Sequence, residues 1–367
     1  MNEPSRRALE FLERVVRPED GLFPFSTSFA NGELHSSYDN PLARRYSLIS
    51  LLGLVEALTN GARQPFLDDL DQVVERFLVA HGGNVSNWGD RGLLLALLAR
   101  ADLDRRQSER LLEEARFIRQ GRSRLSVQDL SWLLWGVTEN SHRIPRATEL
   151  ARSLYDGLTE RYVSAGAALP CHSLSRHRRR IVSFGAVVYY LHALNRFGRS
   201  FDDEDAITRF QTVAARLIAL QLPNGGWPWL LDVDEGVSLD AYPLYSVHQL
   251  SMSMLFLLPA GELGVPGATE SVERSFVWVR GSNELGIPLV VEDGRFIYRS
   301  IERKERWSRG RRYTRSMIRA LGPRTARPES QPEVRLNPES RSYEWGWLLW
   351  VWSQQPYAPA LSAQPGP

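Results

Sequence analysis

Three side chains that could move protons follow one another at helical spacing between residues 242 and 248. Tyr242, Tyr245 and His248 are three residues apart, so a helix would present all three on one face. A histidine titrates near neutral pH, and beside phenols it could act as a general acid or base in proton abstraction or glycosidic-bond cleavage. A lone histidine on a largely apolar helix is equally typical of a hydrogen-bonded core residue. The sequence leaves both interpretations open.

Carboxylates at the starts of other predicted helices could complete this chemistry. Asp90, Asp129 and Glu344 each fall in or near a first helical turn. Two of them could hydrolyse a glycosidic bond, and their separation would distinguish retention from inversion. Each also stabilises a helix N-terminus through the helix dipole, which is the default expectation for any one taken alone. The predicted catalytic set is these three carboxylates with His248 and Tyr245.

Arginine, aromatic and amide side chains at the same helix starts are predicted to bind a ligand. Arg45, Arg180 and Arg341 would hold an acidic group through their fixed fork of donors. Trp229 could stack on a sugar face or a polyprene, or it could be structural. The complete predicted binding set is Arg45, Tyr46, Trp88, Arg180, Trp229, Tyr242, Gln249, Arg341 and Tyr343.

Paired helical segments must position these residues. The first member of each pair has one apolar stripe, whereas the second is apolar around most of its circumference, as expected of a helix enclosed by others. This pattern predicts an all-α fold, an α/α toroid of about six hairpins, whose second helices begin at one common mouth. The predicted pairs are 5–16 with 41–59, 65–80 with 87–101, 106–118 with 126–137, 145–163 with 181–197, 203–221 with 242–260, and 268–280 with 341–353.

One insertion interrupts the helical pattern. Residues 287–301 contain two β-prone runs about Asp293-Gly294, which predicts a β-hairpin. Asn283, Glu284 and Arg299 flank it and could reach the mouth. The strongly basic segment that follows, 303–328, is interpreted as a solvated surface, with an anion-binding flap as the alternative. We predict a single domain over 1–353, with the insertion at about 284–330 and a disordered tail over 354–367.

The segment 221–229, QLPNGGWPW, carries a family resemblance. Gln221, Gly225 and Trp227 resemble the Q-x-x-x-G-x-W repeat of terpenoid cyclase and prenyltransferase toroids. Residues 224–228, NGGWP, resemble the Asn-Gly-Gly-Trp-Pro turn of pectate-lyase-like toroids. The wider pattern GGWPW, YSVHQ, NELG and IYRSI is similar to an uncharacterised group of bacterial toroid proteins. The resemblance implies the toroid fold and leaves the reaction open.

Other acidic and cysteine-containing motifs are interpreted as structural. Asp232-Val-Asp234-Glu235 resembles the D-x-D-D acid of class II cyclases but departs from it at the last position. Acidic residues at 68–72 and 202–205 open outer helices, where negative charge is favourable. Cys171, His172 and His177 fit no zinc spacing. No metal and no cofactor are therefore expected.

Composition limits the class of protein. The net charge is +2, and Lys304 is the only lysine among forty-five basic residues, which indicates a GC-rich genome rather than a binding function. Cys171 is alone, so it cannot form an intramolecular disulfide. The first sixteen residues lack the uninterrupted apolar core of a signal peptide, and no apolar run reaches membrane-spanning length, so we expect neither a signal peptide nor a membrane helix. We expect a soluble, cytoplasmic bacterial protein without nucleic-acid partners.

Three functions remain open from the sequence. The first is a carbohydrate-active protein that acts on an anionic or uronic saccharide, either a small molecule or an oligosaccharide, by lyase, hydrolase or epimerase chemistry. It predicts a polar mouth containing arginine. The second is a terpenoid cyclase or prenyltransferase-like enzyme, which predicts a deep apolar cavity with a buried acid. The third is a noncatalytic glycan-binding or scaffold protein, which predicts no convergent titratable groups.

Overall fold

The computed structural model describes residues 1–116, 118, 125–163, 166–167, 169–176, 178–304, 314, 316 and 332–361. Helices dominate this part of the chain, and none of them is long and apolar enough to cross a membrane. A π-helical turn, His248–Met252, precedes α11. The helices are α1 (Glu3–Val15), α2 (Ala43–Thr59), α3 (Pro65–Asp68), α4 (Leu70–His81), α5 (Trp88–Arg100), α6 (Arg105–Ala115), α7 (Val127–Glu139), α8 (Pro145–Tyr162), α9 (Phe184–Phe201), α10 (Glu204–Ile218), α11 (Met254–Glu262), α12 (Ala268–Val279) and α13 (Ser342–Trp352).

The inner helices form a closed ring. Helices α2, α5, α7, α9, α11 with its π-helical turn, and α13 pack against one another in that order, and α13 returns to α2. Helices α1, α4, α6, α8, α10 and α12 lie outside them. The outer helix α10 buries a single stripe that includes Ala206, Phe210 and Leu217, whereas α9 is buried around most of its circumference. The predicted α/α toroid is confirmed.

Glycines set the spacing of two inner pairs. A Cβ atom on Gly53 of α2 would collide with the backbone of Gly346 in α13, and one on Gly136 of α7 would collide with the Gly92 carbonyl of α5. These helix backbones approach so closely that only a hydrogen atom fits between them. The inner ring is therefore narrow, and side chains fill its axis.

The motif of Gln221, Gly225 and Trp227 follows the outer helix α10 and packs against the next outer helix, α12. Gly225 has φ +95°, and a Cβ atom there would collide with the Arg274 carbonyl of α12. Gln221 Nε2 donates to the Gly225 carbonyl at 2.9 Å and to Ser275 Oγ at 3.1 Å. Trp227 is fully buried, and its Nε1 donates to Ser275 Oγ at 3.0 Å. The motif thus has a structural role, since it fixes the turn after α10 against α12.

Short strands are added to the helical ring. The predicted hairpin is confirmed: Val290 pairs with Ile297 and Val291 with Phe296 across a turn in which Asp293 has φ 52°. The remaining strands were not predicted. The sheets are β1 (Ser26–Ala30) with β2 (Glu33–Ser37); β3 (Ile181–Ser183), β4 (Leu230–Asp232) and β5 (Ser238–Asp240); β6 (Leu244–Tyr245), β9 (Ser300–Arg303) and β10 (Val334–Asn337); and β7 (Val290–Val291) with β8 (Phe296–Ile297). Strands β1 with β2 and β4 with β5 pair locally, whereas β3 with β4, β6 with β9 and β9 with β10 pair between segments far apart in the sequence.

Two inner members differ from their predicted bounds. The segment predicted as a helix from 181 begins with strand β3, and α9 starts only at Phe184. The segment predicted as a helix from 242 contains strand β6 and the π-helical turn before α11 starts at Met254. Both departures occur at the mouth. Backbone pairing with other segments there replaces the first helical turns.

The chain after α13 packs against the ring as far as residue 361. Leu361 is fully buried, and its backbone N–H donates to Glu3 Oε2 at 3.1 Å. The Arg280 guanidinium donates to the Ala360 carbonyl. Residues 354–361 therefore contact the ring, although a disordered tail over 354–367 was predicted, and 362–367 lie outside the described residues. Of the basic segment 303–328, only 303, 304, 314 and 316 are described.

Ion pairs join the carboxyl-terminal ends of the inner helices, at the face opposite the mouth. Arg100 of α5 pairs with Glu56 of α2, and Arg196 of α9 pairs with Glu139 of α7 at 2.6 Å. Trp135 Nε1 also donates to Glu139 at 2.9 Å. The charges at this end are therefore compensated by side chains of the ring itself.

A candidate active site at the mouth of the ring

A cavity of about 230 Å³ opens where the inner helices begin. We call it the mouth cavity. Its polar lining includes Arg45, Arg299 and His248, and its flat surfaces include Trp132 and Trp229. The full lining is Leu42, Arg45, Tyr46, Ile49, Gln128, Trp132, Ser183, Gly185, Tyr189, Trp229, Tyr245, His248, Met252, Arg299 and Tyr343. The predicted convergence of helix starts therefore brings remote residues into one site.

His248 lies in the π-helical turn at the edge of this cavity. Its ring is 4.7 Å from that of Phe184 and 5.0 Å from that of Tyr245, measured between centroids. Burial lowers the pKa of His248 to about 3, because the charged imidazolium would lose its hydration. Its Nδ1 has no hydrogen-bond partner among the described residues. The side chain is thus a neutral imidazole at neutral pH, a form that can accept a proton.

The predicted single helical face of Tyr242, Tyr245 and His248 is wrong. Tyr245 belongs to strand β6, and the backbone turns into the π-helical segment only at His248. Within that segment the Ser253 N–H bonds to the His248 carbonyl, five residues back, at 3.3 Å. Such turns occur frequently at functional sites, because they redirect a side chain from its helical position.

Three tyrosines surround Arg299. The Arg299 guanidinium lies 5.5 Å from the centre of the Tyr245 ring, and the rings of Tyr46 and Tyr343 are 4.4 Å apart. Burial raises the pKa of Tyr46 and of Tyr343, so both remain neutral phenols. The backbone of Arg299 is fixed in turn, since the Ser246 hydroxyl and N–H both donate to its carbonyl. The result is a rigid cation at one wall of the cavity.

A second arginine lines the cavity but is already paired. Arg45 Nε lies 2.5 Å from Asp90 Oδ1, and its guanidinium lies 5.2 Å from the Trp132 ring centre. Burial raises the pKa of Asp90, and Arg45 opposes the shift. Asp129 instead forms a capping box with Ser126 at the start of α7, with 2.6 Å between its Oδ2 and the serine Oγ. Asp129 therefore has the helix-terminal role.

Glu344 lies behind the lining. Its side chain is 1% exposed, and it hydrogen-bonds to Ser246. Burial raises the pKa of Glu344 to about 8, although the Ser246 hydrogen bond and the charges of Arg299 and Arg341 act in the opposite direction. Its Oε1 has no hydrogen-bond partner among the described residues. The carboxyl group is mostly protonated at neutral pH and supports the wall that carries Arg299.

Arg180, predicted to hold an acidic ligand group, pairs with the chain's own acidic turn. Its side chain lies 3.2 Å from Asp234 and 3.8 Å from Asp232. Asp232 Oδ1 accepts the backbone N–H groups of Asp234 and Glu235. The cyclase-like acidic motif is thus a turn closed by an arginine. Among the described residues, no three His, Cys, Asp or Glu side chains are grouped to hold a metal, and His177 is not described.

Arg341 also makes structural contacts. It donates to the Phe25 carbonyl at 2.7 Å and lies 3.9 Å from the centre of the Phe25 ring. Its Nη2 is 2.5 Å from Glu339 Oε2. Arg341 is nearly inaccessible, and it is not part of the cavity lining.

The remaining predicted binding residues also lie outside the lining. Trp88 stacks with Arg91 at 4.4 Å. Tyr242 lies beside Arg303, whose guanidinium is 5.3 Å from its ring centre. Gln249 is fully buried, and its Nε2 donates to the Tyr245 carbonyl at 3.2 Å. Of the predicted binding set, the cavity contains Arg45, Tyr46, Trp229 and Tyr343.

Sequence reasoning missed the deeper layer of the cavity. Ile49, Trp132 and Met252 each follow a mouth residue by four positions, and they therefore lie one helical turn further in. Tyr189 forms the floor, where its hydroxyl accepts from Trp347 Nε1 at 3.1 Å. Extending each predicted helix start by one turn would have found them.

Solved structures of carbohydrate-processing proteins share this fold. A cellobiose 2-epimerase from Bacillus thermoamylovorans B4167 matches with a TM-score of 0.67 at 11% identity, over 95% of this chain and 98% of that chain. A sugar epimerase from a ruminal bacterium gives 0.65 at 10% identity, over 96% and 97%. A glycosyl hydrolase family 88 protein from Bacteroides vulgatus gives 0.56 at 14%, over 96% and 99%. No protein-family model and no curated protein matches the chain. At these identities the likeness establishes the α/α-toroid fold.

Proposed function

We propose that this α/α toroid is a carbohydrate-active enzyme that binds an anionic saccharide in the mouth cavity and moves a proton next to its acidic or carbonyl group. One observation carries the proposal: His248, Arg299 and Trp229 line the same cavity of about 230 Å³. A neutral base, a fixed cation and a flat apolar surface are the groups that such a ligand and such a step require.

The ligand class follows from the lining. Trp132 and Trp229 offer ring faces that can stack on the C–H faces of a pyranose. Arg299 offers a guanidinium that can bind a carboxylate through two parallel hydrogen bonds. Gln128 and Ser183 add neutral polar groups for hydroxyls. An anionic sugar, such as a uronate, satisfies all of these groups together.

The reaction class follows from the titratable groups. His248 is neutral and could take the proton next to the carboxyl or carbonyl carbon, while Arg299 stabilises the negative charge that develops there. A bound anion raises the pKa of the imidazole, because a negative charge favours imidazolium, which makes His248 a stronger base when substrate is present. Return of a proton to the opposite face of that carbon gives epimerisation, whereas departure of the oxygen on the adjacent carbon, which takes up a proton as it leaves, gives elimination.

Hydrolysis by a carboxylate pair receives less support. Among the described residues that line the cavity, none has a carboxylate side chain. Asp90 reaches its edge only through Arg45. The terpenoid alternative predicts a deep apolar cavity with a buried acid, whereas this cavity is small and contains two arginines. A noncatalytic glycan-binding protein remains the second candidate, since the same lining could bind a sugar without reaction.

Solvent exchange and ligand binding together test the proposal. The protein is incubated in deuterium oxide with uronic oligosaccharides and with matched neutral oligosaccharides, and NMR follows deuterium incorporation at the sugar carbons. We expect incorporation or elimination with the uronic set alone. Stabilisation by the uronic set without either reaction would support the glycan-binding alternative. Absence of binding to both sets would reject the proposal.

A further inference from the structure

Arg299 is the cavity cation whose pairing is incomplete. Its contact with Glu339 is an ion pair at 3.6 Å between Nη1 and Oε2, too long for a hydrogen bond. Its Nε has no hydrogen-bond partner among the described residues. Arg45, by contrast, is held by Asp90 at 2.5 Å. Arg299 is therefore the guanidinium that has donors to give to an incoming anion.

Glu339 lies between two arginines. Its Oε2 is 2.5 Å from Arg341 Nη2 and 3.6 Å from Arg299 Nη1. Arg341 is fixed by the Phe25 carbonyl, so this shorter pair remains when the longer one is lost. The Glu339 side chain is 42% exposed, whereas that of Arg299 is 15% exposed. Glu339 can move away from Arg299 without becoming an unpaired carboxylate.

We propose that Glu339 is an internal competitor for Arg299: its carboxylate engages the Arg299 guanidinium in the free protein and gives it up to the carboxylate of a bound saccharide. This inference rests on the proposed function, because it assigns the anion receptor of the same cavity. Glu339 lies outside the cavity lining. Its carboxylate therefore competes with the ligand for the guanidinium but does not occupy the space that the sugar ring would fill.

Positioning of Arg299 does not require Glu339. The Tyr245 ring lies beneath the guanidinium, and Tyr46 and Tyr343 lie close to it. The backbone of Arg299 is held on both sides, since its carbonyl accepts from Ser246 and its N–H donates to the Asn337 carbonyl at 3.2 Å. With the residue already fixed, the long contact to Glu339 mainly neutralises charge.

The competition affects charged and neutral sugars differently. When a uronate binds, its carboxylate takes the place of the Glu339 carboxylate at Arg299. The guanidinium therefore has an anionic partner both before and after binding. A neutral sugar offers only hydroxyls, and these do not displace a carboxylate from a guanidinium. Glu339 therefore lowers the affinity for anions moderately and leaves the affinity for neutral ligands nearly unchanged.

A matched ligand pair measures this competition. Dissociation constants for methyl β-D-glucuronide and methyl β-D-glucoside are determined by calorimetry for the wild type, Glu339→Gln and Arg299→Gln. We expect Glu339→Gln to bind the glucuronide about fivefold more tightly, equivalent to about 1 kcal/mol, with little change for the glucoside. Arg299→Gln should remove the preference for the glucuronide, and adding Glu339→Gln to it should restore nothing.

The control is Glu302→Gln. Glu302 pairs with Arg335 at 2.8 Å on the same sheet, outside the cavity lining, so its loss should leave both dissociation constants unchanged. Weaker glucuronide binding in Glu339→Gln would show that Glu339 holds Arg299 in place, and an unchanged constant would show that it does not compete. Either result overturns the inference.

A second readout separates this inference from the proposed function. Modification of Arg299 by phenylglyoxal, followed by peptide mass spectrometry with and without acetate, needs no sugar. Glu339→Gln should make Arg299 react several-fold faster, and acetate should slow that reaction. If neither glycoside binds but Arg299 is modified faster in Glu339→Gln, the saccharide assignment is wrong and the competition between Glu339 and an anion is supported. An unchanged reaction rate overturns the competition.

Discussion

At the scale of single residues, burial makes the titratable groups of the mouth neutral. It lowers the pKa of His248 to about 3 and raises that of Glu344 to about 8. The same physical cause acts on both, since a low-dielectric surrounding disfavours imidazolium and carboxylate alike. Arg299 keeps its charge because guanidinium cannot lose its proton in proteins. The site thus combines a neutral base with a permanent cation.

Substitution of the imidazole tests its chemical role. We expect His248→Gln to lower kcat by about 10²- to 10⁴-fold, the usual contribution of a positioned acid or base, while the fold is retained. The measurement is turnover of a uronic oligosaccharide, with the melting temperature as the check on folding.

The matched control for this substitution is His192→Gln. His192 is also buried and its pKa is also lowered to about 3, but it lies among Trp135, Trp347 and Trp350 outside the mouth cavity. Its replacement should leave kcat within about twofold of the wild type. Full activity of His248→Gln would remove His248 from the mechanism.

Glu344 predicts a pH dependence of stability. Its pKa in the folded protein, about 8, lies above the ordinary value of 4.5, so its stabilising contribution is complete below pH 4.5 and is lost as the pH rises towards 8. The free energy of unfolding of Glu344→Gln should depend less on pH between 4.5 and 8 than that of the wild type. Urea unfolding at several pH values measures the difference in the free energy of unfolding between wild type and variant. The contributions of the buried histidines are the same in both proteins and cancel in this difference. Parallel stability curves would contradict the raised pKa.

At the scale of elements, short strands and one irregular turn aim the side chains. Strand β9 and the residue before it place Arg299 at the cavity, and pairing of β9 with β6 fixes the start of the segment that carries His248. The π-helical turn then directs the imidazole beside Tyr245. Regular helix periodicity alone would have placed these groups differently.

The turn at Gly225 predicts a strong effect on stability. Gly225→Ala combines a left-handed φ of +95° with a collision against the Arg274 carbonyl, and should reduce the free energy of unfolding by more than about 2 kcal/mol. Gly264 is the control. It has φ +73°, and no atom lies within 4 Å of the position that its Cβ would take, so Gly264→Ala should cost about 1 kcal/mol. If urea unfolding gives the same loss of free energy of unfolding for Gly225→Ala and Gly264→Ala, the structure relaxes to relieve the collision at residue 225.

At the scale of the molecule, closure of the ring creates the cavity and its floor. Helix α13 packs against both α2 and the π-helical turn, and Trp347 from α13 reaches the axis. There its ring lies 5.7 Å from that of Tyr189 and 6.0 Å from that of Trp135. The aromatic floor separates the mouth from the ion-paired end of the ring.

Truncation of the floor tests this arrangement. Trp347→Ala should reduce the free energy of unfolding by about 3 to 5 kcal/mol, as expected for a fully buried aromatic side chain, and should weaken saccharide binding because Tyr189 loses its hydrogen-bond donor. Trp88→Ala removes an equally large but partly exposed side chain and should have a much smaller effect. Similar losses for the two variants would contradict a packed axis.

Much of the fold could be predicted from the sequence, because helical periodicity is a local property. The stripe on α10 and the continuous apolar character of α9 are visible without coordinates, and together they indicate outer and inner helices. The turn at Gly225 was equally predictable, since its glycines specify backbone conformation directly. These features also implied that helix starts such as those at Arg45 and Tyr343 meet at one mouth, as they do.

The sequence by itself therefore determined the toroid and the place of its mouth, whereas only the tertiary structure decided which charges are available there. Arg45, Arg180 and Arg341 look equivalent to Arg299 in the sequence, yet Asp90, Asp234 and Glu339 pair with the first three at 2.5, 3.2 and 2.5 Å. The neutral state of His248 is a similar outcome of burial. Both depend on distances between residues far apart in the chain, because Coulomb interactions and desolvation act through space.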